Sequence, residues 1–381
     1  MVPFEREIAV VREGFATPST WNPATGTFLG CLYSPEGGKL ALSQRFFGVG
    51  FQFRPEDPDR LDPAVAAAAP RLSGRTLYLG HYLAHYGHFL TETLSTFWIF
   101  EKQPAAAFDR IAFHPGFFGR TLTGYARHCF AAFGIAPEAV VMLDDGPVRF
   151  EEVVVPERLL RLCHAADPLL RGVFDRIRAA TLAGRDPVPS RGLYISRRSS
   201  YWRTGRRIVA NEAIIEELFR SRGFAIVRPE AVPFPDQVAL YAAAPTLAGL
   251  SGSALHNCLF QRPGGRLIEI EHPDVYREGD SLPARTQDLC NAVAGVAGTF
   301  VPFTTGRSLW GGQVRHIDPA SVAAALKLRP TTRTPIRRRL AAAIETGALD
   351  LLPPVRAATG RLRQAARAAT GRLRRAKAAL F

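Results

Sequence analysis

The sequence predicts an α/β fold of two Rossmann-like domains facing one another, followed by a basic tail. Three observations carry this. Between residues 192 and 271, short apolar runs alternate with helical patterns at the spacing of a parallel sheet whose crossovers are helices. Upstream, apolar runs at 76–79, 111–113, 140–143 and 153–155 are interleaved with helical stretches at 119–133 and 168–183. The charge, finally, is segregated. Of the formal net charge of +14, the segment 329–381 holds thirteen Lys/Arg against two Asp/Glu, or +11; the rest, 35 against 32, is near neutral at +3. The expected division is an N-terminal domain at 1–185, a nucleotide-binding domain at 186–328 and a tail at 329–381, with a Pro-containing linker near 184–191.

The second domain is the clearer one. Leu193, Tyr194 and Ile195 form a strand that ends at Ser196-Arg197-Arg198, and a polar loop with Tyr201, Trp202, Arg203, Arg206 and Arg207 follows. Asn211-Glu212 opens a helix with Ile214, Ile215, Leu218 and Phe219 on one face, and Gly223 stands where a C-terminal cap belongs. A strand at 224–227, a turn with Pro233 and Pro235, a helix at 237–243 and a strand at 246–250 come next. That strand breaks into Ser251-Gly252-Ser253, which opens a helix through Asn257 and Phe260. Gly264-Gly265 closes it before a strand at 267–271.

In such sheets ligands sit beyond the carboxyl ends of the strands. Arg197, Arg198, Ser251, Gly252, Ser253, Glu269 and Glu271 all gather there. A Gly/Ser turn into a helix presents backbone N–H groups to phosphate. Arginine forks add bidentate charge for the same anion, and a carboxylate can accept ribose hydroxyls. The domain reads as built for a nucleotide diphosphate.

Residues 1–72 mix strand-like runs (8–11, 46–53) with Pro/Gly-rich loops. Asp57-Pro58-Asp59 is formally a DxD, but it lies among prolines and charges rather than at the end of an apolar strand, so it reads as a surface loop. After the run at 76–79, a helix to Phe100 is expected to carry His81, His85, His88 and Glu92. Their spacing puts all four near one face. Three readings stay open for them: a metal site, packed structural histidines, and a catalytic or acceptor-facing cluster. No HExxH pattern supports the first. Beyond 271, a strand at 314–317 and a helix from Asp318-Pro319 to 328 close the domain.

The runs LYISRR, RRIVANE, FPDQVALYAAA, GLSGSALHN and LIEIEHP, with HYLAHYGHFLTETLSTFW upstream, resemble glycosyltransferase family 61 over roughly residues 78 to 275. That family includes eukaryotic xylosyl- and N-acetylglucosaminyltransferases and bacterial capsule and exopolysaccharide enzymes. Many members carry a histidine where this chain has Ser251. The resemblance implies a GT-B architecture, an inverting mechanism and no metal or other cofactor. It implies a nucleotide-sugar donor, taken as a UDP-sugar, and a glycan or lipid-linked glycan acceptor. The donor set is then Arg197, Arg198, Arg207, Asn211, Ser251, Gly252, Ser253, Asn257 and Glu269. Arg197 and Arg207 meet the diphosphate, Asn257 holds the turn and Glu269 accepts the ribose. The catalytic set is His88 as base, Glu92 as its orienting partner or substitute, and His85 as runner-up.

Composition bounds the alternatives. No apolar run approaches the ~20 residues of a membrane span, and the N-terminus MVPFEREIAV lacks a signal-peptide core. The expected location is cytoplasmic, peripheral at the inner membrane face. Cys31, Cys129, Cys163, Cys258 and Cys290 form no CxxC pair, which fits free thiols. In the tail, RAATGRLRQA from Arg356 recurs as RAATGRLRRA from Arg367, and such a segment suits an anionic membrane surface. A serine hydrolase is disfavoured because GxSxG needs glycine where Ser253 stands. The alternative outside enzymology is a non-catalytic protein holding nucleic acid or an anionic surface through the tail. The body shows no nucleic-acid-binding signature to support specific recognition.

Overall fold

The computed structural model describes residues 4–22, 27–44, 57–116, 119–186, 192–198, 209–271, 285–302, 304–307 and 313–326. The expected strand at 46–53, Arg207 with most of its loop, most of the 184–191 linker and the 329–381 tail lie outside them.

The first sheet contains β1 (Ile8–Arg12), β2 (Phe15–Ala16), β3 (Leu32–Tyr33), β4 (Arg71–Tyr82), β5 (Arg110–Pro115), β6 (Val140–Met142) and β7 (Val148–Pro156). Its order is β3-β2-β7-β4-β5-β6, with β1 on β7. β7, β4, β5 and β6 run parallel, and β1 and β2 join β7 antiparallel. The centre of β4 is buried from Leu77 through Tyr82, as a central parallel strand covered on both faces must be.

The second sheet contains β8 (Leu193–Ile195), β9 (Ala225–Val227), β10 (Thr246–Leu250), β11 (Arg266–Glu271) and β12 (Ala297–Pro302), in the order β9-β8-β10-β11-β12. The pairs β8–β9, β8–β10 and β10–β11 are parallel. The chain steps from β8 outward to β9, then crosses back to β10. Such a reversal of strand order is where doubly wound sheets bind ligands, beyond the carboxyl ends of the strands. The expected strands are therefore present here, each within a residue of its expected start.

Seven helices matter below. α1 (Tyr86–Thr91) follows β4, and α2 (Gly124–Ala131) follows β5. α3 (Leu170–Leu182), α4 (Glu212–Arg220), α5 (Phe234–Ala243), α6 (Thr286–Ala294) and α7 (Pro319–Ala325) complete the set. Two corrections concern helices. His81 lies on β4, which runs on to Tyr82, so the expected helix to Phe100 begins only at Tyr86. It is also interrupted: α1 stops at Thr91 and Thr93–Glu101 is 3-10. The segment after Ser253 is likewise a six-residue 3-10 turn, Leu255–Phe260, not an α-helix.

Compactness divides the chain into 1–195 with 223–300, and 196–222 with the described part of 301–381. This is not the division expected at 185/186, because both sheets belong to the first unit. One apolar core runs through them, from Leu77, Phe97, Phe113 and Phe130 to Leu193, Leu247 and Phe260. In the second unit α4 packs on α7, and the strands Thr304–Arg307 and Gln313–His316 pair antiparallel. The buried stripe of α4 differs from expectation. Ile215 and Phe219 are buried, and so are Glu212 and Glu216, while Ile214 and Leu218 are only partly covered.

Candidate active site

The site begins where β4 ends. Gly80, at φ +81°, accompanies a shift of register between β4 and β5. A side chain there would run into the Arg158 guanidinium. Beyond Tyr82 the chain turns through Leu83 and Ala84 into α1. Threonines of the following 3-10 segment fasten this turn: Thr93 Oγ1 accepts from Leu83 N–H and donates to His81 O, both at 3.0 Å, and Thr96 Oγ1 donates to Leu79 O at 3.1 Å. α1 therefore starts at a fixed place beyond a parallel strand.

On α1, His88 Nδ1 lies 2.5 Å from Glu92 Oε1. Glu92 is buried, at 1% exposure, whereas the His88 side chain is 34% exposed. The imidazole thus has one nitrogen held from below and its other edge open. Arg158, carried just past the end of β7, places Nη1 3.9 Å from Glu92 Oε2. The result is a cation, carboxylate and imidazole in sequence, the carboxylate fixing the ring as orienting carboxylates do. His85 precedes α1 with its ring centre 5.1 Å from that of His88. Burial, and secondarily His88, lowers its pKa from the usual histidine range.

His81 does not join this group. It is buried on β4 with its ring 5.5 Å from His114, which bonds Tyr78 and Thr17. Among the described residues no group of three or more His, Cys, Asp or Glu is arranged to hold a metal ion. Asp57 accepts from Gly30 N–H at 2.8 Å and Asp59 pairs with Lys39 at 2.7 Å, so both serve the surface loop they stand in.

The Ser251-Gly252-Ser253 turn leaves the carboxyl end of β10. Ser251 N–H donates to Ile270 O at 3.0 Å, and Gly252, at φ +140°, accepts from Leu255 N–H at 2.8 Å. Asn257 holds the turn from beneath: fully buried, it donates through Nδ2 to Ala254 O at 2.9 Å and accepts from the Tyr86 hydroxyl with Oδ1. Tyr86 is the first residue of α1. Its neighbour Gly87 packs on Ser253 so closely that an added Cβ would lie 2.8 Å from Ser253 Cβ. The structure therefore brings the start of α1, at Tyr86 and Gly87, against Ser253 and Asn257, the latter 171 residues beyond Tyr86.

The remaining expected residues are placed differently. Glu269 is buried, and its Oε2 is bonded to Arg285 at 2.5 Å. Asn211 bonds both backbone groups of Ile317, at 2.6 and 3.0 Å, which makes it a structural staple of the second unit. In that unit Arg198 pairs with Glu216 at 3.1 Å, Ser196 Oγ donates to Glu216 at 2.6 Å, and Arg197 N–H donates to Glu212 at 2.9 Å. Glu212 and Glu216 went unread in the sequence because acidic residues at helix-surface spacing ordinarily face solvent. Arg158 also went unread, having no local pattern to mark it, and His256 lies in the run GLSGSALHN without having been given a role.

The family described as Glycosyltransferase 61 matches residues 86–268. No curated protein matches the chain. Among solved structures, a dodecameric iron-containing heptosyltransferase, TibC, in complex with ADP-D-beta-D-heptose, is 11% identical over 78% of this chain and 75% of its own. Its TM-score is 0.23, too low to assign a common fold. Residues 86–268, which hold the His88–Glu92 pair, the Ser251–Ser253 turn and the strands between them, are the part of the chain that is similar to the glycosyltransferase 61 family.

Proposed function

We propose that the chain transfers a sugar, with inversion, from a nucleotide-sugar donor to a glycan hydroxyl, in a GT-B-like arrangement that needs no divalent metal. The observation that carries this reading is the contact of α1 with the Ser251–Ser253 turn. It sets a carboxylate-held imidazole beside a Gly/Ser turn, each beyond the carboxyl end of a parallel strand.

In this mechanism His88 Nε2 takes the proton of the acceptor hydroxyl as its oxygen attacks the anomeric carbon. The bond from that carbon to the diphosphate breaks on the opposite face, and the electron pair leaves with the nucleotide. Glu92 stabilises the imidazolium that forms. Arg197 and Arg207 answer the charge growing on the diphosphate, and the Ser251 and Gly252 side of the turn accommodates phosphate oxygens. A UDP-sugar donor and a cell-surface polysaccharide acceptor extend the family reading. A cytoplasmic, membrane-peripheral setting fits the basic tail.

His88→Ala is expected to lower transfer by about 10²–10⁴-fold while donor binding and slow donor hydrolysis persist. Glu92→Gln, which keeps a hydrogen-bonding group but removes its charge, is expected to lower kcat by about 10- to 100-fold with KM little changed. Transfer surviving His88→Ala but abolished by Glu92→Gln would move the base to the carboxylate. Activity lost in EDTA and restored by Mn²⁺ would overturn the metal-independent mechanism.

A further inference from the structure

His256 follows the same turn, and the chemistry of its ring is fixed by its neighbours. Gln287 Oε1 lies 3.0 Å from His256 Nδ1. The other end of that amide settles its orientation. Gln287 Nε2 donates to Asn291 Oδ1 at 3.0 Å and to the Leu255 carbonyl at 3.4 Å, and a carbonyl only accepts. The amide oxygen therefore faces His256, so Nδ1 is the nitrogen that bears hydrogen. Nε2 keeps its lone pair and can only accept.

That lone pair is on the side of the ring that meets α1. Cδ2, bonded to Nε2, is 3.4 Å from where a Cβ would stand on Gly87, one residue before His88. Burial holds the imidazole down at about 4, and proximity to His88 and His85 adds to the effect. At neutral pH it is uncharged, an acceptor beside an imidazole already oriented by its own carboxylate.

We infer that His256 Nε2 accepts a hydrogen bond from a carbohydrate hydroxyl, and that Gln287 fixes the tautomer which makes it an acceptor. This rests on the sugar-transfer reading above and deepens it. A bare nitrogen lone pair repels phosphate oxygens and attracts an O–H donor. The edge of the turn facing α1 thus serves sugar, while the Ser251 and Gly252 side serves the diphosphate. His256 does not compete with His88 for the reacting proton.

Two measurements on the full-length protein test this. Long-range ¹H–¹⁵N correlation of the imidazoles should show His256 protonated at Nδ1 alone between about pH 5.5 and 8. An Nε2–H tautomer overturns the inference. The second compares His256→Asn, whose amide reaches only the place of Nδ1, with His256→Gln, whose amide reaches that of Nε2. The probes are the nucleotide sugar that the wild type hydrolyses fastest from a UDP-sugar panel, UDP alone, and a saccharide acceptor.

His256→Asn should lower kcat/KM for transfer by about 10- to 100-fold, as for a lost buried hydrogen bond, and His256→Gln should recover most of it. If the nucleotide sugar binds more weakly but UDP does not, the hydroxyl belongs to the donor sugar. If only the acceptor KM rises, it belongs to the acceptor. Unchanged kinetics in His256→Asn, or equal weakening of UDP and UDP-sugar, overturns the inference. A wild type that neither binds nor hydrolyses any nucleotide sugar refutes the transferase reading itself.

Discussion

His114 sits on β5 with no exposure to water; its Nε2 donates to Thr17 O at 2.8 Å and its Nδ1 accepts from the Tyr78 hydroxyl at 2.7 Å. Both nitrogens are satisfied in the neutral ring, and burial brings its pKa down to about 4, as it does for His256. In the unfolded chain both titrate near 6.5. Between pH 6.5 and 4 the unfolded state therefore binds more protons, and folding stability falls as the pH is lowered. Each histidine contributes a slope of about 1.4 kcal/mol per pH unit in that window and none above it. Urea unfolding midpoints should be flat from pH 8 to 7 and then drop, and His114→Gln should remove its share of the slope. A midpoint unchanged from pH 6.5 to 5 would refute the assignment. At this scale the sequence was unevenly legible. His88 and Glu92 are four residues apart on one chain segment, so spacing alone pairs them. Arg158 and Gln287 reach their partners across 66 and 31 residues, and nothing local marks them.

The elements show what holds α1 in place. It has six residues and no side-chain cap at its start, so its intrinsic stability is slight. Its position comes from packing. Phe89 lies in an aromatic bed of Tyr82, Tyr125 and Phe130, and Phe130 stacks on Phe113 with ring centres 5.5 Å apart and planes 7° apart. Gly87 gives the approach to Ser253 that any side chain would block. Gly87→Ala is expected to push the turn away from α1, lowering transfer by at least about tenfold, a misplacement effect. Gly124→Ala on α2 meets nothing within 4 Å at a helical position and should raise stability by about 0.4–1 kcal/mol. Thermal melting alongside activity separates the two. If Gly87→Ala retained full activity, the contact would not shape the site. Strands were readable here because β8, β10 and β11 are short apolar runs bounded by turn residues. The 3-10 character of 93–101 and 255–260 was not, since an apolar helix-like run looks alike for both windings. His81 was misplaced because β4 stays apolar past its expected end.

For the whole molecule, charge is the decisive quantity. The body carries +3 and the tail +11, so attraction to an anionic surface is expected of residues 329–381 and not of the body. Each Lys or Arg near such a surface contributes on the order of 1 kcal/mol, screened by salt. Full-length protein should co-sediment with phosphatidylserine-containing vesicles at low salt and dissociate as salt rises; a chain ending at residue 328 should stay in solution under both conditions. Equal sedimentation of the two would place membrane attachment elsewhere. The α/β class was evident from alternation alone. The core shared by the two sheets was not, because a linker-like composition at 184–191 reports the local chain and not what packs across it.

α3 is where that sharing has a practical consequence. Arg176 donates to Ala132 O at 3.0 Å on the first-sheet side, while Arg171 and Arg178 donate to Gln261 O at 3.0 and 3.1 Å on the second, and Phe174 meets Phe260 edge-on. Anyone recombining this chain with a relative would be drawn to a crossover at the linker. That junction parents α3 to one sequence and half of its partners to another. A crossover before Leu170 carries the helix with the second sheet but strands Arg176. A chimera must therefore keep the backbone carbonyls of positions 100, 132 and 261 within reach of the arginines of α3 and a ring at position 260 against Phe174, so exchange of one sheet for another is expected to lower stability.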